Sequence, residues 1–277
     1  MADIMTLPEG DRPIELSLSR DELDAHRDQI IAFIESVVES AGADGAVIGL
    51  SGGIDSSLTA TLGAKALGPD QIHGLVLPSA VNPDESMSDA ERLASGLGIE
   101  YDVIEIGPIV SAFFDAYPAG KDEQTPAGNV RVRTRAVLNY FVANTENKIV
   151  LGTGNRSEAL TGYFTKYGDQ AVDCNPIGNL YKQQVRQLAA HIGVEEALIE
   201  KPPSAEMWHG QTDAQEMGVS YDLLDAVLAL HIDGPLTRRA TVETLGIEAA
   251  AVDRVRELYQ ASAHKRELPA APAPIDL

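Results

Sequence analysis

The sequence predicts an α/β fold, a doubly wound parallel sheet flanked by helices, with a helical C-terminal part. Four short apolar runs alternate with helical patterns up to residue 151, which is typical of parallel strands joined by helical crossovers. From about residue 195 onward the strand signal disappears. The strand-like runs are 46–49, 72–77, 101–106 and 148–151, and the helical patterns that follow the first strand are 58–67, 84–97, 130–143, 218–231 and 247–264.

The two ends of the chain lack the periodicity of packed elements. Residues 1–20 contain Pro and Gly and predict an extended N-terminal arm, and residues 268–277 predict a flexible Pro/Ala tail. A chain of 277 residues with 44% hydrophobic content can bury a full core. We therefore predict one domain over residues 1–277, with the arm and the tail at its ends.

The first helix has clear start and stop signals. Apolar residues recur at spacings of three and four from Leu23 to Val38, after the capping candidate Ser19. Gly42 and Gly45 end this pattern before the first strand. The first strand then leads directly into the stretch from which we predict the active site.

That stretch is a glycine loop between the first strand and the second helix, with the sequence Ser51-Gly52-Gly53-Ile54-Asp55-Ser56. Glycines lack a Cβ, so their N–H groups can approach a phosphate closely, and a helix start adds a positive end. A carboxylate repels phosphate unless a divalent cation bridges them, so we interpret Asp55 as a Mg²⁺ ligand. The loop therefore predicts a site for metal-bound polyphosphate at the carboxyl end of a strand.

The overall charge excludes two classes of partner. The formal net charge is −21, and a nucleic-acid or anionic-membrane binder would need a cationic face instead. The chain has only seven lysines against 42 Asp plus Glu. This depletion indicates a halophilic cytosol, in which salt screens the repulsion between carboxylates.

The cysteine content and the N-terminus predict a cytoplasmic protein. Cys174 is the single cysteine, so an intramolecular disulfide or a cysteine-based metal cluster is excluded. The N-terminus lacks the charged and apolar regions of an export signal, and no apolar run approaches 18 residues.

The glycine loop resembles the SGGxDS signature of the ATP pyrophosphatase superfamily. Members of that superfamily break ATP between the α- and β-phosphates and hold the departing pyrophosphate in this loop. A kinase-type phosphate loop is excluded here, because the GxxxxGK[ST] pattern is absent from this stretch.

Further blocks narrow the resemblance to NAD synthetases, with the adenine nucleotide alpha hydrolase-like fold. The resemblance extends from roughly the first helix to residue 267. Gly154 and Asn155 stand where many bacterial members have an Asp-His pair, and this variant of the motif resembles archaeal members. The blocks are Gly128-Asn129-Val130-Arg131-Val132-Arg133-Thr134-Arg135, Gly152 to Glu158, Gly162-Tyr163-Phe164-Thr165-Lys166-Tyr167-Gly168-Asp169, Pro203-Ser204-Ala205-Glu206 and His264-Lys265-Arg266.

The resemblance implies an ammonia-dependent ligase that converts deamido-NAD to NAD through an NAD-adenylate and releases AMP and pyrophosphate. It also implies a homodimer, with the dinucleotide site near the interface. It implies Mg²⁺ on Asp55 and Glu158, and catalytic roles for Asp55, Lys182 and Asp169, with Asp169 the candidate to bind and deprotonate ammonium. It assigns ATP to Gly49, Leu50, Ser51, Gly52, Gly53, Ile54, Asp55, Ser56, Thr153, Lys182 and Ser204, and deamido-NAD to Arg133, Lys166, Asp173, His264 and Lys265.

Several alternatives stay open at this point. Glu158 could instead be a carboxylate favoured by the dipole at a helix N-terminus, and the arginines of 131–135 could form a solvated helix face. Among enzymes, a GMP synthetase or a tRNA-modifying adenylase would share the glycine loop, although the first should lack the 162–169 block and the second conflicts with the charge. A nucleotide-binding sensor without turnover is a third class, and it would have no need of Asp55, Glu158 and Lys182 together.

Overall fold

The computed structural model describes residues 4–8, 16–79, 81, 84–204, 208 and 210–272, apart from the side chain of Asp84. The strands are β1 Ala46–Gly49, β2 Ile72–Val76, β3 Glu100–Val103 and β4 Ile149–Leu151. The helices are α1 Arg20–Ala41, α2 Ile54–Leu67, α3 Asp84–Leu97, α4 Gly107–Ala116, α5 Gln124–Thr145, α6 Arg156–Thr161, α7 Lys182–Ile192, α8 Glu196–Glu200, α9 Asp213–Met217, α10 Tyr221–Val227, α11 Arg238–Leu245, α12 Ala249–Ala261 and α13 Ala263–Arg266. A π-helical turn, Leu228–Ile232, extends α10.

The four strands form one parallel sheet in the order β3-β2-β1-β4. β1 is central, with β2 on one side and β4 on the other, so the order in which strands are added reverses between β1 and β4. Loops that leave the carboxyl ends of such a pair diverge and open a crevice. The predicted doubly wound parallel sheet is confirmed, and the crevice lies beside the glycine loop.

Both faces of the sheet are covered by helices, as the apolar strands require. Successive side chains of β1 point to opposite faces. Ile48 packs into a core that includes residues of α1, α2 and α7, and Val47 packs into a second core with residues of α4 and α5. This anchors the carboxyl end of β1, and with it the glycine loop, between two cores.

A third core lies in the C-terminal part and is built mainly from helical residues. It contains Leu224 and Val227 of α10 and Val252 and Val255 of α12. The N-terminal arm touches this part, where Met5 N–H donates to Gly218 O at 3.1 Å. The predicted helical C-terminal part is confirmed, whereas the limits of the single domain stay a prediction.

The start and stop of the first helix are as predicted. Ser19 Oγ accepts a hydrogen bond from the Glu22 N–H at 3.3 Å, and the Glu22 carboxylate accepts from the Ser19 N–H at 2.8 Å. Gly42 ends the helix in the left-handed region, with φ of 62°. Here a local sequence signal alone determines the structure.

Other element boundaries differ from the prediction for identifiable reasons. The helix predicted over 218–231 is wrong at its start, because Gly218 is the left-handed end of α9 and Ser220 caps α10. The predicted 247–264 helix is broken at Ser262 into α12 and α13. α4, α6, α7, α8, α9 and α11 lie outside every predicted helical pattern.

The protein is expected to need salt for stability. Exposed carboxylates such as Glu35 and Glu39 lie one turn apart on α1, and of the seven lysines only Lys65 and Lys121 are largely exposed. Since the Debye length falls from about 10 Å at 0.1 M to about 3 Å at 1 M salt, the melting temperature should rise on the order of 10 °C between 0.1 and 2 M KCl. A melting temperature independent of KCl would contradict this expectation.

Candidate active site

The glycine loop is built by its glycines and serines. Gly52 has φ of +73°, and a Cβ there would lie 2.1 Å from Ser86 O, so both the turn and the approach of α3 require glycine. Gly53 O accepts hydrogen bonds from Ser56 Oγ at 3.0 Å and Ser57 Oγ at 2.8 Å. No side chain caps α2, so its first N–H groups are available to bind an anion.

A cavity of about 590 Å³ opens beside this loop, within the range of small-molecule sites. It reaches the crevice between β1 and β4, because Gly49 and Leu151 both line it. Of the residues assigned from the sequence, those lining the cavity are Gly49, Leu50, Ser51, Gly53, Ile54, Asp55, Ser56, Arg133, Thr153, Glu158, Lys166, Asp169, Lys182, Ser204 and Lys265. Gly52, Asp173 and His264 are not among the lining residues.

Lys182 joins the two predicted metal ligands. It is the first residue of α7 and is only 3% exposed. Its Nζ donates to Asp55 Oδ2 and lies 3.3 Å from Glu158 Oε1. Asn155 caps α6 and donates from Nδ2 to Asp55 Oδ1 at 2.9 Å, so α2, α6 and α7 all begin at one charged cluster.

The electrostatics of this cluster favour a cation. Burial raises the pKa of Glu158 to about 8, against the opposing effect of the Lys182 charge. Burial alone would lower the pKa of Lys182, but the charges of Asp55 and Glu158 outweigh burial and raise it. Asp213, only 3% exposed, adds a third carboxylate, whose Oδ1 has no hydrogen-bond partner among the described residues. When Asp55, Glu158 and Asp213 are all ionised, three carboxylates therefore lie near the single ammonium group of Lys182.

These residues fit a magnesium ion. Mg²⁺ is usually held by one or two carboxylates together with substrate phosphates, not by an all-protein cage. Within the described part of the chain, no group of three or more His, Cys, Asp or Glu side chains has metal-binding geometry. Asp55 and Glu158 beside an open helix N-terminus match the two-carboxylate arrangement.

The basic residues assigned to deamido-NAD lie across the cavity and are linked to main-chain oxygens. Arg133 Nη2 donates to Lys166 O at 3.1 Å, and Lys166 Nζ donates to His264 O at 2.6 Å. Lys265 Nζ donates to Gly162 O and to Phe164 O, each at 2.7 Å. α13 thereby fixes the 162–169 segment against the cavity.

Asp169 and Asp173 occupy different environments. The Asp169 residue is exposed to the cavity and its carboxylate accepts a hydrogen bond from the Thr165 N–H at 2.7 Å; desolvation by the surrounding cavity walls raises its pKa to about 6. Asp173 instead accepts from the Val150 N–H at 2.7 Å and from Tyr140 Oη at 3.2 Å, on the edge strand β4. Its assigned role in substrate binding therefore stays a prediction.

Sequence reasoning missed residues that support the cluster. Asp225 is fully buried and accepts from Ser157 Oγ at 2.5 Å and from the Gln183 N–H at 2.9 Å, joining α6 to α7. Lys201 Nζ donates to Ser86 Oγ at 2.7 Å and lies 3.5 Å from Gly52 O. The scarcity of lysine was a usable signal for Lys201, whereas nothing local marked Asp225.

Of the loops that leave the carboxyl ends of β2 and β4, the loop after β4 faces the cavity, since Gly152 and Thr153 line it. Of the 78–83 loop, Ala80, Asn82 and Pro83 lie outside the described residues, and the described residues 78, 79 and 81 do not line the cavity. In the 201–210 loop the described residues 201–204 and Trp208 line it.

Among the described residues, no helix combines the length and the apolar character needed to cross a membrane.

Comparison with known proteins gives consistent results. The family model described as NAD synthase matches residues 27–269. A protein of Halobacterium salinarum named NH(3)-dependent NAD(+) synthetase is 57% identical over 268 residues, which cover 97% of this chain and 100% of that relative. The similarity to a protein from a halophile agrees with the interpretation of the acidic composition.

Two solved structures are also similar. An NMN synthetase from Francisella tularensis is 34% identical with a TM-score of 0.80, covering 92% of this chain and 99% of that one. A glutamine-dependent NAD+ synthetase from Acinetobacter baumannii is 26% identical with a TM-score of 0.65, covering 95% of this chain but 48% of that one. The glycine loop, the cavity and the match over most of the chain together show that this protein belongs to the NAD synthase family.

Proposed function

We propose that this chain amidates deamido-NAD to NAD with ammonia and ATP, through an adenylated nicotinate, and releases AMP and pyrophosphate. The observation that carries the proposal is one cavity that joins the glycine loop and the Lys182 cluster to Arg133, Lys166 and Lys265. A phosphate site and a second anion site in one cavity suit a reaction between two nucleotides. A GMP synthetase or a tRNA adenylase does not account for the family match.

In the first step, an oxygen of the nicotinate carboxylate attacks the α-phosphorus of ATP and the bond to pyrophosphate breaks. The N–H groups at the start of α2 and the hydroxyls of Ser51 and Ser56 would hold the departing phosphates. Lys182, fixed beside Asp55, would stabilise the charge that develops on them. Thr153 and Ser204 would contact the remainder of ATP from the cavity wall.

Mg²⁺ would be held by Asp55 and Glu158, and when bound it would neutralise the charge on the phosphates as a Lewis acid. All four of their carboxylate oxygens already accept hydrogen bonds, from Lys182 and from Asn155. A carboxylate offers about four lone-pair sites, so each oxygen keeps one for a cation.

In the second step, the nitrogen of ammonia attacks the acyl carbon and AMP departs with the bridging oxygen. The nucleophile must be neutral, so a base has to take a proton from ammonium. Asp169 faces the cavity with a pKa of about 6 and is proposed as that base. It is ionised above pH 6, where it can accept the proton.

The pH dependence of kcat/KM for total ammonium is expected to reveal this base. Below pH 6 the rate should rise about tenfold per pH unit, because deprotonated Asp169, which takes the proton from ammonium, becomes more abundant, and above pH 6 it should level off while ammonium remains the main form in solution. In Asp169→Asn the dependence should be about tenfold throughout, at a rate lower by about 10²-fold or more. An unchanged break near pH 6 in the variant would remove Asp169 from this role.

The function is tested by measuring NAD formation by the purified chain. With ATP, deamido-NAD and ammonium, NAD, AMP and pyrophosphate should form in equal amounts, and AMP release should stop when deamido-NAD is omitted. AMP release without deamido-NAD, or none at all, would contradict the proposal. Because one solved relative is named NMN synthetase, nicotinate mononucleotide is included as a competing substrate, and preferential turnover of it would replace deamido-NAD in the proposal.

Glutamine should not replace ammonium in that assay. Glutamine use needs a reactive cysteine thiolate, and burial raises the pKa of Cys174 to about 11, which leaves it a poor nucleophile. The glutamine-dependent relative is about twice as long as the matched region. Turnover with glutamine that Cys174→Ser abolishes would overturn this part of the proposal.

The proposed homodimer would form through an apolar face of α4 and α5. Ile109, Phe113 and Tyr117 form a stripe at spacings of four residues with exposures of 37%, 53% and 74%. Val137 and Phe141, on the adjacent α5, are 67% and 68% exposed. An exposed apolar patch of this kind marks an interaction site, and a second copy of the chain would cover it.

Asp173 lies close to the apolar face of α4 and α5 and is also assigned to substrate binding. It contacts Tyr140, the neighbour of Phe141, so its proposed role requires the dinucleotide to extend toward the dimer interface.

The cytoplasmic location remains part of the proposal and rests on the composition of the chain.

Phe141→Asp combined with Phe113→Asp is expected to convert the dimer to a monomer, because two buried charges would oppose association. Light scattering during size exclusion measures the mass directly. Phe33→Asp is the control, since Phe33 is 42% exposed on α1, whose helix packs on the opposite face of the sheet. A parent protein that is monomeric in high salt would contradict the dimer.

A further inference from the structure

Asn155 lies between the two carboxylates proposed to hold Mg²⁺. It is fully buried, and its side chain makes two hydrogen bonds in opposite senses. Oδ1 accepts from the Glu158 N–H at 3.0 Å, and Nδ2 donates to Asp55 Oδ1 at 2.9 Å. The second bond connects residues 100 positions apart in the sequence.

The main chain of Asn155 adds a third contact. Its N–H donates to Glu158 Oε2 at 3.3 Å, which completes the capping box of α6. Lys182 Nζ contacts the remaining oxygens, Asp55 Oδ2 and Glu158 Oε1. Each carboxylate is therefore held by Asn155 through one oxygen and by Lys182 through the other.

The two contacts made at position 155 explain why the residue there is an asparagine. A short buried side chain must supply an acceptor for the helix cap and a donor for Asp55, and an amide carries both. An ionised aspartate would have only acceptors and would repel Asp55, whereas serine would keep the cap but not reach the carboxylate. A helix cap alone would not need the donor, since serine and aspartate cap a helix about as well as asparagine.

We infer that Asn155 is a positioning residue, which orients Asp55 and Glu158 for Mg²⁺ binding. This inference rests on the proposed function, because it assumes that the two carboxylates bind the metal. Groups that orient metal ligands typically change metal affinity by about 10–100-fold when they are removed. Asn155 acts through its neighbours and is not itself expected to touch the metal.

The test is the affinity for Mn²⁺, measured as free Mn²⁺ by electron paramagnetic resonance with α,β-methylene-ATP present. Asn155→Ser keeps the cap and removes the donor, and should raise the Kd for Mn²⁺ by about 10–100-fold. Asn155→Thr also keeps the cap and removes the amide donor, and its volume is closer to that of asparagine. It replaces the serine variant in the measurement if that variant unfolds. Asn179→Ser, at an exposed position, is the matched control.

A residue that only stabilised the fold would lower the melting temperature and leave the Kd of the folded protein within about twofold of the control; that result would overturn the inference. If Asn155 acts through Asp55, adding Asn155→Ser to Asp55→Asn should change the Kd little further; fully additive effects would also overturn it. Failure of the parent chain to form NAD would instead refute the proposed function, independently of these Mn²⁺ measurements.

Discussion

Asp55→Asn is expected to lower the rate of ATP-dependent AMP release by at least about 10³-fold at saturating deamido-NAD and ammonium. Asp55 lies in the first turn of α2, where its carboxylate faces both the glycine loop and Lys182. The amide has no charge for Mg²⁺ and one acceptor oxygen instead of two. A bound metal ion stabilises the transition state by several kcal/mol, and losing that stabilisation would lower the rate by this factor.

Folding should survive this change, because asparagine keeps the volume of aspartate and Lys182 retains Glu158 as a partner. Asp70→Asn removes the same charge from an exposed position just after α2 and should leave AMP release unchanged. Activity of Asp55→Asn within about tenfold of the parent would mean that the first step does not depend on this carboxylate.

Lys182→Met is expected to affect both catalysis and stability. Lys182 is 3% exposed between Asp55 and Glu158, and removing it leaves two carboxylates without their counter-charge. Losing one partner of a buried ion pair costs about 3–5 kcal/mol of unfolding free energy. AMP release should fall by about 10²–10³-fold, since a preorganised donor to the developing phosphate charge is lost.

Mg²⁺ provides the internal check on this interpretation. In Lys182→Met the uncompensated carboxylates should bind the cation more tightly, so added MgCl₂ should raise the melting temperature more than in the parent. Lys65→Met removes a lysine from an exposed position of α2 and should change neither rate nor stability appreciably. Equal MgCl₂ effects in the parent and in Lys182→Met would contradict a metal site at Asp55 and Glu158.

The parts of the fold that the sequence predicted well are those with short-range causes. Ser19 and Gly42 bound α1 through contacts within a few residues. The glycine loop could be recognised because the phosphate-binding backbone needs glycine at Gly52, where φ is +73° and α3 approaches. The alternation of strands and helices was enough for the doubly wound sheet.

The missed boundaries have either a long-range or a local cause. α7 begins at Lys182 because its start is held by Ser157 and Asp225, and neither contact is visible in the local pattern. α10 begins later than predicted because Gly218 takes φ of +76° and ends α9 first. In both cases tertiary packing or a single left-handed glycine determined the boundary.

The candidate site shows the same division. Asp55 was predicted as a metal ligand from the chemistry of the loop, Glu158 and Lys182 were identified by resemblance, and the structure brings the three together. The contacts that Asn155 and Asp213 make in the cluster are visible only in the fold, since they connect separate loops or helices. The reading of Glu158 as a helix N-terminal carboxylate is also correct, because it occupies the third position of α6 while facing the cavity.

The central claim, that the substrate carboxylate attacks the α-phosphorus of ATP in this cavity, is tested most directly with ¹⁸O. Deamido-NAD labelled in both nicotinate carboxylate oxygens is converted with ATP and ammonium, and the products are analysed by mass spectrometry. One ¹⁸O should appear in AMP, the other should remain in the amide of NAD, and pyrophosphate should be unlabelled. Label in pyrophosphate or phosphate, or formation of ADP, would contradict attack at the α-phosphorus and with it the proposed role of the glycine loop.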